Sequence, residues 1–433
     1  MRILICSLNY APELIGIGKY NSELAEWLVG RGHEVKVVCA PPYYPAWRVS
    51  SGHRRWWWRK ETINGVEVRR CPMWVPGRPT GAKRVLHLLT FGLSSLAPLL
   101  KQVLWRPDVV MMTEPPLVCA PTVLAVSRLC GAQAWLHVQD LEIDAGFGLG
   151  LIRRPVLRRA IIGIERRLLR GFDAVSAISR TMVSRVDERV GAECRTGLLP
   201  NWVDTEAFAG VDPMPFRRRL GIPDDAVLCV YSGNMGHKQG LEVVAESILR
   251  LDADPRLHFV LCGAGPAKEM LRTCLSGRPR VRFLDVLPAD ELPELLSAAD
   301  IHLLPQRADF DGLVMPSKVL AMLASGRAIA ATCPPQSELG RLLAGVGLVT
   351  APGAADAYAA AIAKLAEDPV LRASLGIAGQ RVARREFDGS RLLEEFERWA
   401  EGLLQDRPDE QIDSLSALHR IDPISDRARS PRV

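Results

Sequence analysis

Several loops in this chain place glycine, lysine or histidine where an apolar strand gives way to a helical pattern. Gly16-Ile17-Gly18 is one. Glycines there admit close backbone approach, and a helix N-terminus attracts negative charge. The third glycine of a dinucleotide fingerprint is missing, with Asn21 in its place. A phosphate- or sugar-bearing ligand is expected instead of NAD, with a bare tight turn as the alternative. Ser232-Gly233-Asn234-Met235-Gly236-His237-Lys238-Gln239-Gly240 also joins a strand to a helix. Its glycines offer amide donors and Lys238 a point charge, which suits a diphosphate. Pro316-Ser317-Lys318 stands at a helix start, where the dipole favours anions. Either lysine alone reads as a surface residue. On loops of one parallel sheet they would converge at its carboxyl edge, the usual ligand position. His137 ends the strand Ala134–Val138 and precedes Gln139, Asp140, Glu142 and Asp144. Such a histidine can donate to a substrate oxygen, and the spacing equally allows a structural histidine. Asp309-Phe310-Asp311 has the D-x-D form but no evident third ligand. No metal and no cofactor are expected.

Three stretches point to a membrane surface. Gly52 to Lys60 joins Trp56, Trp57 and Trp58 to Arg54, Arg55, Arg59 and Lys60. Tryptophan favours the headgroup region and arginine pairs with lipid phosphate. Val85 to Leu100 is mostly apolar and flanked by Lys83-Arg84 and Lys101, yet too short to span. An interfacial or partly inserted helix is expected there. Residues 153–170 carry seven arginines against one glutamate. Any one stretch alone reads as core residues or a solvated face. All three together favour the membrane. Nucleic acid is not expected, for want of a binding module.

These residues need elements to hold them. Apolar runs at Arg2–Leu8, Glu34–Ala40, Val109–Met112, Ala134–Val138 and Ala174–Ile178 read as strands separated by helical patterns. The cycle restarts at Ala226–Tyr231 and continues at Leu257–Cys262, Val281–Leu284, Ile301–Leu304 and Ala328–Ala331. Alternating strands and helices imply parallel sheets covered on both faces. The expected fold class is α/β, with two Rossmann-like, doubly wound domains facing across a cleft. Residues 1–205 form the acceptor- and membrane-facing domain and 206–389 the donor-binding domain. Asp212-Pro213-Met214-Pro215 reads as the linker between them. A helix over 390–404 is expected to pack back on the first domain, and 405–433 to be disordered.

Composition sets the bounds. The 433 residues are 48% hydrophobic and 24% charged, as in globular proteins. Residues 1–200 hold 28 Lys+Arg against 16 Asp+Glu, while residues 201–433 hold 27 against 33. The basic front half implies an anionic partner. Ten cysteines without a C-x-x-C pair read as reduced thiols in a cytoplasmic protein. No secretory signal is expected at the N-terminus.

The order of motifs resembles retaining nucleotide-sugar glycosyltransferases of family 4, with GT-B architecture. The resemblance rests on Gly16-Ile17-Gly18, Gly32-His33-Glu34-Val35, Leu199-Pro200-Asn201-Trp202-Val203-Asp204, Cys262-Gly263-Ala264-Gly265-Pro266 and the run Pro316 to Gly326. Asn9-Tyr10-Ala11-Pro12-Glu13, Ala40 to Pro45, Arg70 to Pro76, His137-Val138-Gln139-Asp140 and Lys238-Gln239-Gly240-Leu241-Glu242 resemble the branch that assembles exopolysaccharides such as colanic acid. The resemblance implies a retaining, metal-independent hexosyl transfer. The donor would be a nucleotide-sugar, with GDP-fucose indicated. The acceptor would be a lipid-linked saccharide at the inner face of the plasma membrane. It assigns donor binding to Gly16, Gly18, Gly233, Asn234, Lys238, Gly263, Gly265, Pro316, Ser317 and Lys318. His137 and Lys238 would act in catalysis, and Trp56, Trp57, Trp58, Arg54, Arg55 and Arg59 at the acceptor and membrane.

The sequence departs from that family at three points. Leu313 and Ala321 stand where most members carry paired glutamates, and Asn234 where an arginine precedes the diphosphate lysine. Two rivals follow. A sugar-nucleotide 2-epimerase shares the architecture and needs no acceptor. A scaffold that kept the fold without the glutamates would bind no donor.

Overall fold

The computed structural model describes residues 1–13, 15–53, 55–77, 80–143, 154–191, 194–236, 239–307 and 316–405. Arg54, Lys238, Asp309, Asp311, Leu313 and residues 406–433 therefore lie outside the described residues.

The first sheet has eight strands: β1 (Arg2–Cys6), β2 (Glu34–Cys39), β3 (Arg59–Ile63), β4 (Val66–Arg70), β5 (Val109–Glu114), β6 (Gln133–Val138), β7 (Ala174–Ala177) and β8 (Arg195–Leu198). Their order is β3-β4-β2-β1-β5-β6-β7-β8. Ile3 pairs with Val35 on one side and Val109 on the other. All pairs are parallel except β3–β4, an antiparallel hairpin turning at Asn64-Gly65. The apolar-run criterion misses this hairpin, because Arg59-Lys60-Glu61 is charged. The second sheet has β9 (Val227–Ser232), β10 (Leu257–Cys262), β11 (Val281–Leu284), β12 (Ile301–Pro305), β13 (Ala328–Thr332) and β14 (Gly347–Thr350). Its order, β11-β10-β9-β12-β13-β14, reverses direction at β9 and β12. Loops diverge at such a point and leave a crevice at the carboxyl edge.

Helices cover both faces of the first sheet, which is why its central strands are buried throughout. On one face lie α1 (Ile17–Gly30), with Tyr20, Leu24 and Leu28, and the helix Gly389–Gln405, with Leu392, Phe396, Ala400 and Leu403. Each buried side chain of this size contributes about 1.5–3 kcal/mol. Trp399 of that last helix lies over β8, where a Cβ at Gly197 would sit 2.2 Å from its ring. On the other face lie α2 (Gly81–Leu100), with Leu88, Phe91 and Leu99, and α3 (Ala120–Cys130), with Val123 and Val126. The chain crosses between sheets at two neighbouring points. Val203 N–H donates to Phe387 O at 2.9 Å, and Gly389 N–H to Val203 O at 2.9 Å. The stretch around Pro213, expected as a linker, instead begins the helix Met214–Arg219. Its Arg217 is anchored to Asp300 just before β12, at 2.8 Å.

Candidate functional site

The loops that follow β9 and β10 pack backbone against backbone. Met235 N–H donates to Ala264 O at 2.8 Å, and Ala267 N–H to Met235 O at 2.9 Å. A Cβ on Gly263 would lie 1.9 Å from Gly233 O, and one on Gly265 2.5 Å from Met235 O. Loop packing therefore accounts for these glycines, and it brings Gly233 and Asn234 to the carboxyl edge. Asn234 is exposed there.

Lys318 enters the same place from the helix that follows β12, Lys318–Ala324. Its Nζ lies 4.4 Å from the Tyr231 ring centroid. It is 3.4 Å from the Tyr231 hydroxyl and 3.5 Å from Gln239 Oε1. A Cβ on Gly233 would be 3.9 Å from it. Among the described residues no carboxylate pairs with it. The side chain is half-buried, and desolvation pulls its pKa down from the ordinary lysine value to about 7. A cationic site that meets only neutral dipoles among the described residues is complementary to an incoming anion. Pro316 and Ser317 lead into this lysine.

On the facing unit, Gly16 has φ +59° with open space at its Cβ position, so it can admit a ligand. At Gly18 a Cβ would lie 2.8 Å from Glu13 O and 2.9 Å from Glu13 Cβ, so close packing on Glu13 accounts for that glycine. Glu13 is buried. Its carboxylate accepts from Asn9 Nδ2 at 2.8 Å, Tyr43 N at 2.6 Å and Tyr44 N at 2.7 Å. Burial still raises its pKa, outweighing those donors. Glu114 at the end of β5 is fully buried. Desolvation and then Glu142 hold its pKa well above the usual carboxylate value. Glu142 N–H lies 3.4 Å from Glu114 Oε1. These carboxyls lie near the carboxyl ends of strands of the eight-stranded sheet. Sequence reasoning missed them because nothing in their spacing announces burial.

His137 turns the other way. It shares a face of β6 with Trp135. Its Nδ1 is 2.9 Å from Ser176 Oγ, its Nε2 3.0 Å from Gln139 Nε2, and its ring 5.1 Å from that of Phe396. Burial lowers its pKa to about 3. Gln139 in turn exchanges hydrogen bonds with Asn201 at 2.9 and 3.0 Å. Both ring nitrogens are thus occupied, and any effect of His137 on a substrate passes through Gln139. The arrangement favours the structural reading that spacing left open.

The tryptophan stretch and α2 are brought together. Trp58 Nε1 donates to Ser94 O at 2.9 Å. Trp56, Trp57 and Trp58 are exposed, as are Val85, Leu86, Leu89, Leu93, Leu96 and Leu100 along the outer side of α2. The Arg55 guanidinium lies 4.9 Å from the Trp56 ring centroid, while Arg59 donates to Gly52 O at 2.9 Å. The helix Pro155–Leu169 adds exposed Val156, Leu157 and Ile164. No helix among the described residues is long and apolar enough to cross a membrane. Among those residues no group of three or more His, Cys, Asp or Glu is placed to hold a metal ion.

Two parallel-sheet units facing across a crevice, with a lysine beneath a glycine loop at one edge, define a glycosyltransferase of the GT-B type. The chain belongs to that family: residues 16–202 match the glycosyl transferase 4-like domain and residues 226–368 the glycosyl transferases group 1 domain. It is 37% identical over 407 residues to the colanic acid biosynthesis glycosyl transferase WcaI of Escherichia coli, covering 92% of this chain and 98% of that one. It is 28% identical to a GDP-mannose-dependent phosphatidylinositol monomannoside mannosyltransferase of Mycolicibacterium smegmatis, over 90% of this chain and 97% of that one. The fold is shared with sucrose-phosphate synthase from Thermosynechococcus elongatus, with TM-score 0.74 and 16% identity over 94% of this chain and all, 100%, of that one. It is shared too with Anabaena HepE in complex with UDP, with TM-score 0.66 and 15% identity over 93% and 100%.

Proposed function

We propose that this glycosyltransferase moves a hexose, with retention, from a nucleotide-sugar to a lipid-linked exopolysaccharide precursor at the cytoplasmic membrane face. The donor we propose is GDP-fucose. The colanic acid name of the Escherichia coli relative and the GDP-mannose and lipid acceptor named for the mycobacterial one support this reading. The observation that carries it is the open apolar side of α2, with Trp58 hydrogen-bonded to that helix, on the unit that faces Lys318. An apolar row bordered by arginines favours the headgroup boundary, where a lipid-linked acceptor presents its sugar.

In this reading Lys318, Lys238 and the amides of the Gly233 loop stabilise the charge that grows on the departing diphosphate. Protein cations then supply the electrostatics of leaving-group departure, and a metal is not needed. Gln139, held by His137 and Asn201, orients the transferred sugar. Same-face attack lets the leaving phosphate take the acceptor proton. No part of this requires the paired glutamates replaced by Leu313 and Ala321.

The test is incubation of the full chain with radiolabelled GDP-fucose and membrane lipid extract. Label in the lipid phase, reduced about tenfold or more in Lys238→Ala, is the expected result. An altered nucleotide-sugar formed without acceptor would make the protein an epimerase. Absence of binding to every nucleotide-sugar would make it a scaffold.

A further inference from the structure

The sheet edge that carries Lys318 continues past the glycine loops to β11. Lys268, on the helix Ala267–Cys274 that follows β10, is buried there. Its Nζ donates to Gly263 O at 2.8 Å, Leu284 O at 2.8 Å and Asp285 Oδ1 at 2.7 Å. An ammonium has three hydrogens, and all three are spent. Two of these bonds tie the loop after β10 to the end of β11. The third fixes the carboxylate of Asp285, the first residue beyond β11. That bond also holds the Asp285 carboxyl below the usual carboxylate range, so it is ionised at neutral pH. The side chain is nonetheless 93% exposed, and its Oδ2 has no partner among the described residues. A surface aspartate ordinarily moves among rotamers. This one is pinned by a buried lysine and presents one oxygen to solvent. Val286 beside it is an exposed apolar residue.

Topology decides what this carboxylate meets. The strand order is β11-β10-β9-β12-β13-β14, and Lys318 lies against Tyr231 of β9. A nucleoside diphosphate anchored at Lys318 can extend along the carboxyl edge in two directions. The side toward β13 is occupied: Glu338, in the segment after that strand, accepts from Arg180 N and Thr181 N of the facing unit. The side toward β11 is lined by exposed Ala264, Asp285 and Val286. Two strand spacings separate β9 from β11, about 10 Å. The ribose and α-phosphate of a nucleotide can bridge that distance.

We propose that Asp285 selects guanine in the donor, its carboxylate accepting from N1–H and the exocyclic N2–H of the base while Val286 packs against the base plane. The assignment rests on the reading of the protein as a transferase with a GDP-sugar donor. Guanine presents two donors side by side on that edge. An ionised aspartate only accepts, so it meets both with charge-assisted hydrogen bonds. Uracil offers a single N–H between two carbonyl oxygens, and adenine an amine beside a bare ring nitrogen. Each of these sets a lone pair against the carboxylate. Lys268 fixes the direction of the carboxylate before the base arrives, so little rotamer entropy is lost on binding.

Titration calorimetry of the full chain with GDP, IDP, UDP and ADP tests this. IDP differs from GDP only in lacking the N2 amine. The wild type is expected to bind GDP about tenfold or more tighter than IDP, the loss of one hydrogen bond to a charged group, and to bind UDP and ADP more weakly than GDP. Asp285→Ala weakens GDP about tenfold or more and makes GDP and IDP equal. Asp285→Asn keeps an acceptor for Lys268 and serves where the alanine variant fails to fold; the preference for GDP over IDP falls there too. Lys318→Gln weakens all four diphosphates alike and leaves that preference as in the wild type. Equal binding of GDP and IDP by the wild type, or a preference that persists in Asp285→Ala, overturns this proposal and leaves the GDP donor standing. Preference for UDP or ADP, or no binding of any diphosphate, overturns the donor reading and this proposal with it.

Discussion

Lys318 lies across Tyr231, with Nζ 4.4 Å from the ring centroid and 3.4 Å from the hydroxyl. A ring face and two long hydrogen bonds do not replace the hydration of an ammonium. That deficit is what takes its pKa down to about 7. A diphosphate beside it would restore the charged form.

Binding of a nucleoside diphosphate should therefore take up a proton. Above pH 7 the free protein increasingly holds Lys318 neutral, while the complex keeps it charged. The dissociation constant is expected to rise about tenfold per pH unit between pH 7 and 9. Calorimetry in buffers of different ionisation heat measures the proton directly. A flat profile, or an identical slope in Lys318→Met, would show that this lysine does not meet the diphosphate.

The outer side of α2 offers a second prediction. Leu93 is 76% exposed and Trp57 65% exposed, on surfaces joined through Trp58 and Ser94. Trp57→Ser combined with Leu93→Asp should lower partitioning onto anionic vesicles about tenfold or more, given about 1.5–3 kcal/mol for each apolar side chain buried. Nucleotide binding in solution should be unchanged. Cosedimentation with vesicles reads the first quantity and calorimetry the second. Equal sedimentation of variant and wild type would remove this face from the acceptor pathway.

The two units also meet at Glu338. Its carboxylate accepts from Arg180 N at 2.8 Å and Thr181 N at 3.2 Å, the first turn of the helix Arg180–Val190. A carboxylate at a helix N-terminus is worth about 0.3–1 kcal/mol, and up to about 2 when partly buried. Glu338→Ala should loosen this contact, increase the radius of gyration in solution scattering and raise the donor KM severalfold. Unchanged scattering and KM would mean that the contact does not hold the units together.

How far the sequence foretold this arrangement depends on the range of the forces involved. The strand-to-helix loops were legible, because a glycine or lysine after an apolar run is a local signal. So was Lys318, which adjoins its own helix start. The Glu338 contact was not, since its partners are 157 and 158 residues away. The β3–β4 hairpin was hidden by Arg59-Lys60-Glu61, charges that a sheet edge tolerates. Glu13 looked like a loop acid. Only the fold reveals that Tyr43 and Tyr44 close over it. His137 shows the limit most clearly. Spacing put it near a strand end, but residue parity sends it to the face of Trp135 and Phe396, away from the crevice.

That placement gives a prediction with a definite sign. His137 and His302 are both fully buried, with pKa values lowered by burial to about 3. Above pH 6.5 the folded and unfolded chains both hold neutral imidazoles. Below it the unfolded chain takes up protons that the folded chain refuses until about pH 3. Each histidine then costs about 1.4 kcal/mol of stability per pH unit, or about 2 kcal/mol by pH 5. His137→Phe removes one of these titrations and costs Ser176 and Gln139 one hydrogen-bond partner each. At pH 7.5 the variant should be about 1–3 kcal/mol less stable than the wild type. Between pH 6.5 and 5 that deficit should shrink by about 1.4 kcal/mol per pH unit. Urea unfolding at several pH values reads it. A deficit constant with pH would mean that His137 titrates normally and is reached by solvent. A folded variant whose kcat collapses at pH 7.5 while Gln139→Ala is nearly normal would put the imidazole itself on the substrate.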